Sequence, residues 1–535
     1  MVLKYPRPKL LTRRTPMKKL KKLKSSKEKS LSSDETHKEI QADLKDNIEI
    51  LKELFQDCTD VVFRPLIAGN VHAYLLFVDG FVDTKAIELH GLKQLIEENE
   101  VNRITADFLT ERVISISSVS ETIKLDDVVK NVLKANTVLL VDGLTKAIIF
   151  DAKGGERRGV SEPTTESAVR GPREGFTEIL RVNTALVRHK IRSNRLKILS
   201  KDVGEETQTN LAILYVEGLA PPELVEEVLS RVERIKIDGI LESGYIEEFI
   251  EDSAWSMFPQ IQNTERPDTV AANLLEGRIA IIVDGTPFVL ILPATFWQFF
   301  QSSEDYYDRF HIFIFLRLLR ISFVFIAITL PGIYVAVTTY HQEMIPTSLL
   351  LSIAASREAI PFPMFVEALI MELAFEALRE AGIRLPQIVG QAVGILGALV
   401  IGQAAVEAGI VSAPTVIMIA LTGIASFTIP RYNMSISVRM LRFPLMILGG
   451  MFGLFGVVLG FLIILTHLCK LRSFGIPYFW PIAPMSFKAL KDTLIRVPWW
   501  AMNERPNQLV KEDVIRQADH LMPSPPKAGE EGSPS

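Results

Sequence analysis

The 535-residue chain is 48% hydrophobic and 23% charged, with a net charge of −4. That length holds three or four domains at ~100–200 residues each, so a single fold is a poor reading. Its two cysteines, Cys58 and Cys469, lie too far apart in sequence to propose a disulfide framework or a thiolate zinc site, and a reducing cytosolic setting suits the soluble part.

Residues 1–30 carry twelve Lys or Arg against the single acid Glu28, a local charge of 12 − 1 = +11. No apolar run of signal-peptide length follows, so the expectation is a cytoplasmic amino-terminal portion that begins with a basic disordered tail over residues 1–44. Such a tail is either a solvated arm or a contact for anionic headgroups.

A helical-looking stretch over 43–55 precedes an apolar strand, 71–78, that ends at Asp79–Gly80. The same strand-then-acid-Gly device returns before Asp142–Gly143, Glu217–Gly218 and Asp284–Gly285. These acids are spaced 63 residues apart in the first pair and 67 in the second, with helix-like sequence inside each pair, which predicts two copies of one unit. The expectation is therefore two related α/β subdomains, at 45–155 and 201–305. The acid-Gly steps read as turns that only glycine makes at positive φ.

Between them, residues 156–200 read as a charged connector, rich in Gly and Pro. It is either a solvated linker or an ion-pair network of Glu166, Arg170, Arg173 and Glu174.

Uncharged runs at 321–340, 385–406, 408–430 and 443–469 are each long enough to cross a bilayer, predicting an all-α polytopic membrane domain over 306–470 with four to six spans. Pro361–Phe362–Pro363 opens a helix at 363–381 whose Glu367, Glu372, Glu376 and Glu380 suit a re-entrant or interfacial element better than a bare crossing. Glu367 falls on the apolar face and needs a partner, for which Arg357 is the candidate. With four spans Arg431, Arg439 and Arg442 fall on the wrong side; a fifth span moves the basic carboxyl end outside instead. A cytoplasmic segment over 471–510 and a disordered tail over 511–535 complete the expected layout.

Gly390, Gly394, Gly397 and Gly402, and again Gly449, Gly453, Gly456 and Gly460, permit close helix packing. Leu396, Val400, Gln403 and Glu407 share one helical face that runs from apolar to amide to acid. Around a symmetric axis that face makes a constriction selective for cations; Thr415, Thr422 and Ser426 form a weaker second stripe. Packing inside a single chain accounts for either stripe as well. No catalytic, phosphate-binding or metal-ligating pattern occurs, so neither an enzyme nor a cofactor is expected, and nothing points to nucleic acid.

Several longer motifs carry a resemblance. They are Glu162–Pro163–Thr164–Thr165–Glu166 with Val169–Arg170–Gly171–Pro172–Arg173–Glu174, then Phe258–Pro259–Gln260–Ile261–Gln262–Asn263–Thr264–Glu265–Arg266–Pro267–Asp268. Farther on come Asp305–Tyr306–Tyr307, Glu376–Ala377–Leu378–Arg379–Glu380–Ala381–Gly382, Gly402–Gln403–Ala404–Ala405–Val406 and Ser473–Phe474–Gly475–Ile476–Pro477–Tyr478. Over about residues 45–506 the chain resembles the A subunit of GerA-type spore germinant receptors. The resemblance implies a subunit of a nutrient-responsive complex in the spore inner membrane, with a transporter-like B subunit and a lipoprotein C subunit. It also implies an oligomeric, pentameric, ligand-gated cation channel. Two alternatives stay open: a non-conducting scaffold that transmits the state of the B and C subunits, and a relative of the stage V sporulation protein AF branch.

Overall fold

The computed structural model describes residues 38–68, 71–88, 106, 109–110, 118–154, 161–386, 400–506 and 508–524. It divides into two compact units, one reaching residue 154 without 57–60, the other comprising 57–60 and everything from 155 on.

In the first unit, α1 (Leu44–Leu54) precedes β1 (Val61–Ala68) and β2 (Val71–Val78). After β3 (Val119–Thr122) and α2 (Leu125–Leu133) come β4 (Thr137–Val141) and β5 (Ala147–Phe150). The five strands form an antiparallel sheet in the order β1-β2-β4-β5-β3. Every residue of β4 and β5 is buried, which is why both read as unbroken apolar runs rather than alternating ones.

The second unit opens with the same plan. α3 (Leu180–Lys190), β6 (Leu196–Val203), β7 (Thr209–Val216), α4 (Pro222–Glu233) and α5 (Ser243–Ile250) lead to β8 (Gln262–Thr264), α6 (Pro267–Leu274), β9 (Ile279–Val283) and β10 (Val289–Leu292). Its sheet order, β6-β7-β9-β10-β8, repeats that of the first sheet strand for strand.

The likeness extends to single hydrogen bonds. Asp142 Oδ1 accepts from Leu44 N (3.2 Å) at the start of α1, and Asp284 Oδ1 accepts from Leu180 N (2.9 Å) at the start of α3. Buried Asn47 holds the backbone of Gln41 with its side-chain amide, as buried Asn183 holds that of Thr177. These are two copies of one α/β subdomain, and the acid-Gly steps are their common turn, with φ between 79° and 87° at Gly80, Gly143, Gly218 and Gly285.

Three boundaries differ from those expected. Ordered structure begins before residue 45, since Ile40 is buried and its N–H donates to Ile123 O. The second subdomain begins inside the expected connector, at α3. The sequence hides this because α3 buries polar groups: Arg188 is fully enclosed and paired through two bonds of 2.8 Å with Asp60. Beyond residue 510, Arg516 pairs with Glu276 at 2.7 Å and Asp519 accepts from Asn503 at 3.1 Å, so the folded unit reaches at least residue 519.

The rest of the second unit is helical: α7 (Phe310–Tyr340), α8 (Thr347–Arg357), α9 (Met364–Arg384), α10 (Ala413–Phe427) and α11 (Tyr432–Lys470). Among the described residues, α7 and α11 are the two helices long and apolar enough to cross a membrane. α11 is not one rod. At Gly453 the backbone takes φ 63° and ψ −149°, a region open almost only to glycine. A Cβ on Gly460 would lie 2.5 Å from Leu445 Cδ2. In a straight helix those two residues stand about 22 Å apart, so the chain reverses at Gly453 and residues 432–452 and 454–470 pack as a hairpin. The single run expected over 443–469 is thus broken in its first half; hydropathy counts glycine as neutral and does not register the turn.

Both open ends of the hairpin meet the second α/β subdomain, where Ser437 donates to Met257 O and His467 Nε2 lies 2.9 Å from Ser256 Oγ. We call this the proximal end. The tip is distal, where Tyr340 OH donates to Gly450 O at 2.9 Å. α7 crosses the first arm at Gly332 and Gly449, where a Cβ on Gly449 would stand 2.5 Å from Gly332 O, the close backbone approach that small residues permit.

Candidate functional site

Three clusters of polar side chains mark the second unit. The most proximal binds the charged motifs to one another. Arg266, 2% exposed, donates to Asp268 (2.8 and 3.1 Å), to Pro172 O (2.9 Å) and to Glu166 O (3.2 Å). Glu265 accepts the N–H groups of Thr164 (2.7 Å) and Thr165 (3.2 Å). The 162–166 and 263–268 motifs are therefore two halves of one clasp. Glu166 extends it to the helices, accepting from Thr264 Oγ1 at 3.0 Å and pairing with Arg431 in the turn between α10 and α11.

The four connector residues named from sequence do not pair among themselves. Arg170 stands 3.5 Å from Asp308, Arg173 3.1 Å from Glu162, and Glu174 2.8 Å from Lys190, while Glu166 takes Arg431. Beside the clasp, the fully buried Asp305 anchors Arg317 (3.2 Å) and Arg320 (2.8 Å) of α7, and Arg317 also reaches Asp492 at 3.3 Å. Burial pushes the Asp492 carboxyl up to about 6 in spite of Arg317.

A second cluster lies among the helices. Glu367 is fully buried; its Oε2 lies 3.5 Å from Arg357 Nε, and its Oε1 accepts from Thr415 Oγ1 (3.0 Å) and Ser412 N. Farther along α9, Glu372 and Arg442 meet at 2.7 Å with both side chains enclosed, and Glu376 lies 3.4 Å from Arg439 and 3.5 Å from Arg442. Arg379 donates to Ser426 Oγ (3.1 Å) and lies over the Phe427 ring. Two of the acids that make α9 look unfit for an apolar medium, Glu372 and Glu376, are thus matched by cations of α11 more than sixty residues away, which no local spacing reveals. Glu367 meets Arg357 of α8, and Glu380 pairs with Arg384 on α9 itself.

The third cluster faces outward. Val400 is 56% exposed, and Gln403 and Glu407 are exposed and joined to each other by a 2.8 Å hydrogen bond. Leu396, with Gly390, Gly394 and Gly397, lies outside the described residues. Thr415, Thr422 and Ser426 are fully buried inside the chain, Thr422 donating to Met418 O and Ser426 to Gly423 O. The structure keeps these two stripes on different surfaces. No group of acids, histidines and cysteines able to hold a metal ion occurs among the described residues.

The family model for the Bacillus/Clostridium GerA spore germination protein matches residues 49–508. The chain belongs to the GerA spore germination protein family. This GerA-family chain is 52% identical over 474 residues to the uncharacterized membrane protein YfkQ of Bacillus subtilis, covering 88% of the chain and 92% of that protein. It is 47% identical over 490 residues to spore germination protein KA of Bacillus subtilis (91% and 90%) and 40% identical over 475 residues to spore germination protein GerLA of Bacillus cereus (88% and 96%). Among solved structures it is similar to the N-terminal domain of the A subunit of the Bacillus megaterium spore germinant receptor GerK3, at 34% identity and a TM-score of 0.40, covering 49% of this chain and 98% of that one.

Within the GerA-family chain, sequence reasoning missed the Asp60–Arg188 pair, the Asp305–Arg317–Asp492 cluster and the pairing of Glu372 with Arg442. Each joins segments distant in sequence. The one local signal was an excess of charge in otherwise apolar stretches.

Proposed function

We propose that this GerA-family chain is the A subunit of a nutrient-responsive germinant receptor in the spore inner membrane. In this reading it works with a transporter-like B subunit and a lipoprotein C subunit, and copies of it, five in a ring, surround a cation path. The observation that carries conduction is the outward face of Val400, Gln403 and Glu407. An acid on the outside of an apolar helical block is costly against lipid, and apart from each other Gln403 and Glu407 have no polar partner among the described residues. Water in a shared path, lined by the same face of neighbouring copies, relieves that cost. A ring of Glu407 carboxylates favours cations and a ring of Val400 side chains forms a constriction that closes by dewetting.

The direction of the helices supports six crossings. α7 runs from the proximal to the distal end. α9 and α10 both run back, since Glu367 meets Thr415 distally and Arg379 meets Ser426 proximally. α9 ends at the proximal end and α10 begins at the distal end, where Gly409 stands beside Ala359, and the hairpin adds two passes. An even count keeps the α/β subdomains and the carboxyl segment on one side, and with six crossings, unlike four, Arg431, Arg439 and Arg442 fall on that side too.

Cation efflux from liposomes that hold the purified chain tests conduction. Val400→Ala is expected to raise the leak and Val400→Trp to block it. Flux unchanged in both variants removes this face from the path, and no flux from an assembled oligomer leaves a non-conducting scaffold.

A further inference from the structure

Between α6, the segment that leads into α7 and the carboxyl segment lies a hollow of about 610 Å³, within the usual range for small-molecule sites. Its walls include Thr269, Leu275, Tyr306 and Trp499. A second hollow of about 240 Å³ adjoins it, sharing Glu276, Arg278, Gln298 and Arg505 as lining.

The charged groups around this space are nearly all matched. Arg516 pairs with Glu276 at 2.7 Å, Arg505 with Asp513 at 2.9 Å and Lys488 with Glu504 at 2.8 Å. Asp492 accepts from Tyr306 OH at 2.9 Å and from Arg317. Lys491, on the smaller hollow, is exposed to solvent, and Arg278 is the buried exception. It is 6% exposed, and its Nε and Nη1 reach no acceptor among the described residues. Trp297 Nε1, on the wall of the smaller hollow, and Thr269 Oγ1, on the wall of the larger, are likewise buried without a partner. Three unmet groups able to donate hydrogen bonds thus line the two hollows, with Arg278 common to both. A buried guanidinium persists at such cost only where something answers it.

We propose that this hollow binds a small organic monocarboxylate, with its carboxylate on Arg278 and its apolar body against Tyr306 and Trp499. Arg278 lacks a hydrogen-bond acceptor for Nε and Nη1 although Glu276 and Asp492 lie near enough to act on its charge, so an acceptor carrying a single negative charge suits it. A dianion such as phosphate would be repelled by Glu276 and Asp492 close by. The aromatic wall, where the Tyr306 and Trp499 rings lie 5.7 Å apart, suits a flat or apolar body. Tyr306 and Asp492 also hold Arg317 of α7, so an occupant touches the groups that fix the proximal end of that helix. The proposal stands whether or not the chain conducts.

Benzoate serves as the probe, titrated against the full-length chain in detergent, with tryptophan fluorescence and the melting temperature as readouts. A saturable response in both is expected. Arg278→Gln should weaken it at least about tenfold while leaving the melting temperature of the unliganded protein equal or higher, because an unanswered buried charge has gone. Trp297→Phe, which keeps the ring and removes the indole N–H, should weaken it about two- to tenfold. Inorganic phosphate should not compete. The proposal is overturned by the absence of a saturable benzoate response, by an unchanged response in Arg278→Gln, by phosphate competing as strongly as benzoate, or by a lower unliganded melting temperature in Arg278→Gln.

Discussion

Glu372 and Arg442 show what a single pair does in this fold. Their 2.7 Å contact lies fully inside the helical block, where either charge alone faces an apolar surround. Removing one partner leaves the other uncompensated, at a cost of about 3–5 kcal/mol. Glu376, 3.5 Å from Arg442, offsets part of that loss. Glu372→Ala is therefore expected to destabilise the purified protein by about 3 kcal/mol, and Glu372→Leu combined with Arg442→Leu to recover most of it; a double variant no more stable than the single one contradicts the pairing. A second residue-scale test concerns pH. Burial first, then the charges of Glu251 and Glu242, pushes the Glu247 carboxyl up to about 8, well above the ~4.3 of an unfolded chain. Folding therefore takes up a proton there, and the stability tied to it is present in full at low pH and lost as pH rises through about 8. The melting temperature should fall between pH 6 and pH 9, and Glu247→Gln should flatten that slope; identical slopes in both proteins exclude the assignment.

At the scale of elements, what could be read from sequence depended on how local the cause was. β2, β4 and β9 fall where apolar runs end in an acid and a glycine, because the turn is specified by adjacent residues. α3 escaped notice because Asn183 and Arg188 are polar yet buried, satisfied by Thr177 and Asp60. Glu372 and Glu376 of α9 were misleading for the same reason, since Arg439 and Arg442 come from another helix. Of the candidate site, the pairing of Glu367 with an arginine was within reach of sequence, whereas the separation of the 400–407 face from the Thr415, Thr422 and Ser426 stripe was not. Gly453 was visible only as one of four glycines suited to packing. Its neighbours Gly449, Gly456 and Gly460 do serve close contacts, while Gly453 itself reverses the chain. Gly453→Ala places a side chain in a backbone region that costs of order 1–3 kcal/mol, with its Cβ 2.9 Å from His341 Nε2. The melting temperature should drop by several degrees, more than for Gly382→Ala, where nothing lies within reach of the new methyl. Equal behaviour of the two variants removes the hairpin turn.

At the scale of the whole molecule, the two α/β subdomains and the carboxyl segment belong on one side of the membrane if the helices cross six times. The chain supplies its own reporter, because Cys469 is exposed at the proximal end of the hairpin and Cys58 is buried. A membrane-impermeant maleimide should label Cys469 only from the side that carries the α/β subdomains; labelling from the opposite side breaks the six-pass arrangement. Conduction is the larger claim, and it places the selectivity in one carboxylate. The most direct measurement is the reversal potential of the purified oligomer in a planar bilayer under a potassium chloride gradient, for the native chain and for Glu407→Gln. A native potential close to that of potassium, moved towards zero by the substitution while current persists, is the outcome expected. A current without cation preference, or one that Glu407→Gln leaves unchanged, contradicts the account.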